Sequence, residues 1–147
     1  MKYRITLEQS FENCTLQTRD YGDEKLHQIT ATGAIGRSQR AAVFKEVLKG
    51  NQSENFFYIL DNRGGFEIEL SFADMTFLNG LLYDGGIRYI RGSVITLDVA
   101  YNILVSMAKA KARAESFEVE LISTPTFAEG EEFVTSKLLE LLKVKQN

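Results

Sequence analysis

Phe56-Phe57-Tyr58-Ile59-Leu60 decides the fold, because it is a short, almost wholly apolar run closed by Asp61-Asn62-Arg63-Gly64-Gly65. A strand with one wet face alternates polar and apolar residues, whereas a strand covered on both faces does not. Five residues are too few for a helix of ordinary length, and the Asn and Gly that follow suit a turn. The run is therefore a buried central strand, and helices are expected on either side of it in the chain.

Upstream, Val43, Phe44, Val47 and Leu48 recur at helical spacing, while Arg40, Lys45, Glu46 and Lys49 fall on other faces. Ser38 is the expected N-cap of this helix and Gly50 its terminator. Downstream, Ser71 to Tyr83 forms a second helix with Met75, Leu78 and Leu82 on its stripe. Ser71 and Asp74 have capping-box spacing, and Gly85-Gly86 stops the helix. Ile87 to Leu97 follows as a strand region, interrupted at Arg91-Gly92-Ser93. Asp98 caps a third helix to about Ala114, in which Ala100, Ile103, Met107, Ala110 and Ala114 share the stripe expected to pack on the sheet. Phe117 to Leu121 alternates as a strand. Thr126 and Glu129 then open a last helix whose buried side holds Phe127, Val134, Leu138, Leu141 and Leu142.

The first third reads as strands. Tyr3, Ile5 and Leu7 alternate with Lys2, Arg4, Thr6 and Glu8, the period of a half-buried strand. Cys14 to Thr18 pairs back after a turn near Glu12-Asn13, and Leu26 to Ala34 makes a third strand. The order predicts an α/β fold: a mostly parallel open sheet, an antiparallel N-terminal hairpin and about four covering helices. Ligands of open parallel sheets usually lie beyond the carboxyl ends of the strands.

Totals exclude several classes. A length of 147 residues suits one domain, expected to span 1–147. A net charge of −3 gives no positive field for nucleic acid. No stretch approaches the roughly 18 apolar residues of a membrane span, and the alternating start lacks the apolar run of a signal peptide, so none is expected. Cys14 is the only cysteine, so an internal disulfide is impossible and a cytoplasmic setting is expected.

The element order resembles the STAS domain, the fold of bacterial anti-sigma-factor antagonists, and in particular the divergent STAS-like branch that grades into the CRAL-TRIO lipid-carrier fold. Tyr58-Ile59-Leu60-Asp61, Gly86-Ile87-Arg88-Tyr89-Ile90 and the stretch from Phe117 to Phe133 carry the resemblance, which spans roughly Leu26 to Leu142. In antagonist STAS domains an Asp-Ser-Ser-Gly motif supplies a phosphorylated serine at the start of a helix. Here the corresponding stretch is Glu69-Leu70-Ser71-Phe72, so Ser71 stands in about that place while the motif around it is gone. The resemblance implies binding or regulation rather than catalysis.

Five residues are candidates for a regulatory or binding site. Ser71 would hold a phosphate at a helix N-terminus, or else is simply a cap. In Asp61-Asn62-Arg63-Gly64-Gly65, Arg63 would clamp an anion that Gly64 and Gly65 let approach, and Asp61 closes the strand; the plainer reading is a solvated turn. Lys109, Lys111 and Arg113 would make a small basic patch, although residues two apart share a helix face poorly. His27 and Cys14 lack the third, orienting group that nucleophilic catalysis needs. No metal site, cofactor or enzyme activity is expected. The expected function is a non-enzymatic regulatory or protein-interaction module with a protein partner or small ligand. The alternative is a carrier or sensor of a small apolar ligand or lipid. A homodimer through the N-terminal edge strand or the last helix stays open.

Overall fold

The computed structural model describes residues 2–145. Strands β1 (Arg4–Phe11), β2 (Cys14–Asp20) and β3 (Lys25–Ala31) lead to helix α1 (Arg37–Leu48), and β4 (Asn55–Asp61) to α2 (Phe72–Asp84). Strand β5 (Tyr89–Ile95), α3 (Ala100–Ala114), β6 (Glu118–Thr124) and α4 (Phe127–Lys145) complete the order. All six strands form one sheet in sequence order, β1-β2-β3-β4-β5-β6. The first two pairings are antiparallel and the last three parallel. This is the mostly parallel α/β sheet with an N-terminal hairpin that the element order predicts.

The sequential order has a consequence for layering. Each parallel crossover steps in the same direction, and such crossovers share one hand, so their helices fall on one face. The core agrees with this. Leu16, Ile29, Phe56, Leu60, Ile90, Val94, Val119 and Leu121 cluster with buried residues of α1, α2 and α3. The alternate positions Leu26, Phe57, Ile59 and Ile95 cluster instead with Val134, Leu138 and Leu142 of α4. Strand β4 thus divides its apolar residues between two covered faces, which is why its sequence does not alternate. Sequential order also means that the parallel strands contain no reversal. The crevice that such a reversal opens is therefore not part of this sheet, and the space beyond the carboxyl ends of β4 and β5 is instead a groove lined by Gly65 to Glu69, Asp98, Ala100, Tyr101 and Leu104.

Local features follow from side-chain chemistry. Asn13 turns β1 into β2 with φ of 61°, a conformation that Asn tolerates better than most residues. Ser71 Oγ accepts from the Asp74 N–H at 3.1 Å, and Asp74 Oδ2 accepts from the Ser71 N–H at 3.0 Å, completing the expected capping box. Asp98 Oδ1 accepts from the Ala100 N–H at 2.9 Å, and Thr126 Oγ1 from the Glu129 N–H at 3.3 Å.

Four sequence-based expectations are corrected. Helix α1 is capped by Gly36, not Ser38, because Gln39 reaches back to accept from the Gly36 N–H at 2.8 Å. Strand β5 runs unbroken through Arg91-Gly92-Ser93. Gly92 is required there by packing, since the Tyr58 ring lies where a Gly92 Cβ would stand. Tyr3 and Ile5 are 44% and 43% exposed, because β1 is an edge strand and α4 lies over β3 to β6 instead. Helix α3 is turned from its expected orientation. It buries Tyr101, Val105 and Ala112 and leaves Ala100, Ile103, Met107, Ala110 and Ala114 exposed.

Candidate functional site

The turn after β4 is built around Asn62. Its buried amide donates to the Phe66 carbonyl at 2.9 Å and to the Tyr101 hydroxyl at 2.7 Å, while its oxygen accepts from the Phe66 N–H at 3.1 Å. Tyr101 donates in turn to the Phe66 carbonyl at 3.0 Å, and burial pushes its hydroxyl pKa up to about 12. Asp61 and Arg63 face each other: Nε to Oδ1 is 2.9 Å and Nη2 to Oδ2 is 2.7 Å. Asp61 holds the exposed Arg63 guanidinium more firmly charged. Gly65 has φ of 71°, in the left-handed region, and Gly64 lies where a Cβ would strike the Phe66 ring. The structure therefore brings Asp61, Arg63, Gly64 and Gly65 together, and their polar groups engage one another. An incoming anion would have to displace Asp61 from Arg63.

Ser71 is exposed at the start of α2, as the cap position requires. Its own N–H is held by Asp74, whose carboxyl sits below the ordinary carboxylate range because of that backbone bond, the Ser71 hydroxyl and Arg37. Arg37 lies 3.9 Å from Asp74 Oδ1 and stacks over the Phe77 ring at 3.7 Å. Phe72, the first residue of α2, is 56% exposed. Lys111 Nζ of α3 stands 5.9 Å from the Phe72 ring centre, which sets the start of α2 beside α3.

Two of the three basic residues of α3 have partners within the chain. Lys111 lies 3.9 Å from Glu115 Oε1, and Arg113 donates to the Val119 carbonyl at 3.3 Å. His27 and Cys14 are both buried, Cys14 in the core beneath the helices and His27 with its ring 5.8 Å from that of Phe56. His27 Nδ1 lies 2.9 Å from Thr18 Oγ1, and burial, helped by Lys25, lowers its pKa to about 3. Burial pushes the Cys14 thiol up, which disfavours the thiolate. Among the described residues no group of three His, Cys, Asp or Glu converges as a metal site requires.

Two features escaped the sequence reading. The first is an apolar surface. Leu97, Val99 and Ile103 are 75%, 77% and 67% exposed, Met107 of the same helix is 38% exposed, and Phe72 of α2 is 56% exposed beside Lys111 of α3. Positions 100, 103, 107, 110 and 114 alternate spacings of three and four, the seam by which helices interlock. The second feature is a cavity of about 90 Å³ between the sheet and α1, α2 and α3. Arg40 of α1 lines it. The Arg40 Nε is buried with no hydrogen-bond partner among the described residues. The groups that face the guanidinium are Tyr58, Tyr101 and Cys14, none of them a carboxylate, and desolvation lowers its pKa. The signal was present in the sequence. Arg40 precedes Val43, Phe44 and Val47 by three, four and seven residues, so it shares their apolar stripe rather than another face.

No protein-family model matches the chain, and no curated relative matches it. Among solved structures, a DUF3478-family protein with a SpoIIAA-like fold from Shewanella loihica PV-4 superposes with a TM-score of 0.54. The match covers 89% of this chain and 98% of that one, at 12% identity. At that identity the likeness speaks for the fold alone. The chain has the SpoIIAA-like, STAS-like α/β fold, and no helix among its described residues is long and apolar enough to cross a membrane.

Proposed function

We propose that this chain is a non-enzymatic, cytoplasmic STAS-like regulatory module that works by binding a protein partner through the outer face of α3 and the start of α2. The carrying observation is the exposed seam of Ala100, Ile103, Met107, Ala110 and Ala114, flanked by Leu97, Val99 and Phe72. Exposed apolar side chains concentrated on one helix face are unfavourable in water unless they are covered for part of the protein's working life. Its three-four spacing suits a partner that presents an amphipathic helix with a matching seam, since knobs of one helix then fill holes of the other. In this reading Ser71 borders the docking face. A phosphate on Ser71 would repel the Asp74 carboxylate, open the capping box and disturb the orientation of Phe72. The Asp61-Arg63 pair with Gly64 and Gly65 keeps the shape of the preceding loop.

A photoreactive residue placed at Ile103, with one at Glu132 as a control, tests this in living cells. The reading expects an adduct from position 103 whose partner peptide lies in an amphipathic helix, and its loss when Met107→Glu is added. Equal labelling from both positions would refute it, and an adduct to this same chain would make the partner a second copy.

The alternative of a ligand carrier draws on the cavity. About 90 Å³ is well short of the roughly 300 Å³ at which pockets for drug-sized ligands begin, so the support is for a small guest and not a lipid.

A further inference from the structure

We propose that the cavity under α1 and α2 binds a small organic anion, a short-chain carboxylate, with Arg40 as its counter-charge. The inference is independent of the docking face on α3. Arg40 as a whole residue keeps partial exposure, yet its Nε is sealed from solvent without an acceptor. A guanidinium whose Nε is buried and unpartnered is costly, because charged donors lose hydration and gain nothing in return. An apolar residue such as Met would pack α1 at lower cost if packing were the only demand on this position.

The chemistry of the missing partner can be read from what surrounds it. Nε and one Nη of a guanidinium form a planar pair of donors that matches the two oxygens of a carboxylate. No ion pair engages Arg40 among the described residues, and its facing titratable groups are two phenols and a thiol. Apart from Asn79, whose amide donates to Glu115 Oε1 at 3.1 Å, the remaining walls are apolar, including Phe44, Leu78, Ile90 and Leu121. They suit a hydrocarbon body and exclude a multiply charged ligand, for which there is no second cation. The room of about 90 Å³ equals that of ~3 liquid waters, which fits a chain of roughly three or four carbons. Gly92 helps to shape the space, since the Tyr58 ring lies across the position that a Gly92 side chain would fill.

The probe is sodium butyrate, compared with butyramide and with sodium chloride at equal ionic strength. Thermal unfolding of the full chain should rise by ~5–10 °C at a hundredfold excess of butyrate over its Kd. Neither butyramide nor chloride should reproduce the rise. The variant Arg40→Met should keep its circular-dichroism spectrum, match or exceed the unliganded wild-type midpoint, and lose the response to butyrate. A second readout does not depend on any variant. In nitrogen-15 spectra of the wild type, butyrate should move the amide signals of Arg40, Tyr58, Leu78 and Ala112. The proposal fails if butyrate and butyramide act alike, if Arg40→Met responds as the wild type does, or if no midpoint shift and no cavity signal change occurs up to ~100 mM butyrate, a hundredfold excess over a Kd of ~1 mM. Water alone then fills the space.

Discussion

His27 should make this protein lose stability between pH 6.5 and 5. The imidazole is 7% exposed, lies 5.8 Å from the Phe56 ring centre and has Thr18 Oγ1 at 2.9 Å from Nδ1. Burial, with Lys25 adding repulsion, lowers its pKa from 6.5 to about 3. The unfolded chain therefore binds a proton in this window and the folded one does not, so stability rises with pH. The contribution is complete above 6.5 and is lost as pH falls toward 3. The shift of about 3.5 units bounds the whole effect at ~5 kcal/mol, and ~2 kcal/mol of it should be gone by pH 5. Asp74 and Glu120 also have lowered values, but they start from 3.8 and 4.5 and so act at lower pH. The assay is urea unfolding at pH 7 and pH 5, for the wild type and for His27→Gln, which keeps a hydrogen-bonding partner for Thr18. The wild type should lose ~2 kcal/mol and the variant nearly nothing. Because the chain has one histidine, a single imidazole proton signal reports the site directly. If that signal titrates near 6.5 in the folded protein, or if wild type and variant lose stability equally, the reasoning is refuted.

Leu138→Ala should destabilise by about 2–5 kcal/mol in urea unfolding, because Leu138 is fully buried in the one helix that covers its face of the sheet. Glu24 is 1% exposed and accepts from Ser53 Oγ and, at 3.2 Å, from Asn55 Nδ2, with Lys145 Nζ at 3.7 Å. Glu24→Ala strands these donors and should cost about 2–3 kcal/mol, read as a lower urea midpoint with an unchanged slope. Ser71→Ala should cost about 1 kcal/mol by loss of the α2 cap, whereas Ser71→Asp, which can still cap, should cost less. The same denaturation series separates the two.

Helix caps at Ser71 and Thr126 were legible in the sequence, since a cap is a contact between neighbours in the chain, whereas α3 starts from Val99 with Asp98 one residue further out, accepting from the Ala100 N–H. So was the double burial of β4, because an unbroken apolar run admits few other placements. The cap of α1 was not, because Ser38 and Gly36 compete locally and the reach of Gln39 decides between them. The candidate residues Asp61 and Arg63 were legible as a cluster but not as an ion pair, since i and i+2 side chains meet only when the turn brings them around. Arg40 stood on the apolar stripe of α1, yet its charge argued for the solvent side, and only the packed neighbours leave its Nε without water or acceptor.

The sequence by itself determined the elements, their order and the class of fold, because hydrophobic period, caps and turns act over a few residues. The tertiary structure alone decided which of the two apolar stripes of α3 faces the sheet, where the cavity opens and what is left uncovered. Both stripes are apolar enough to be buried, so local pattern cannot choose between them. The choice falls to Tyr101, whose hydroxyl reaches Asn62 and the Phe66 carbonyl only when its side of the helix faces inward. That selection leaves Ile103 and Met107 in water, and so creates the surface on which the proposed function rests.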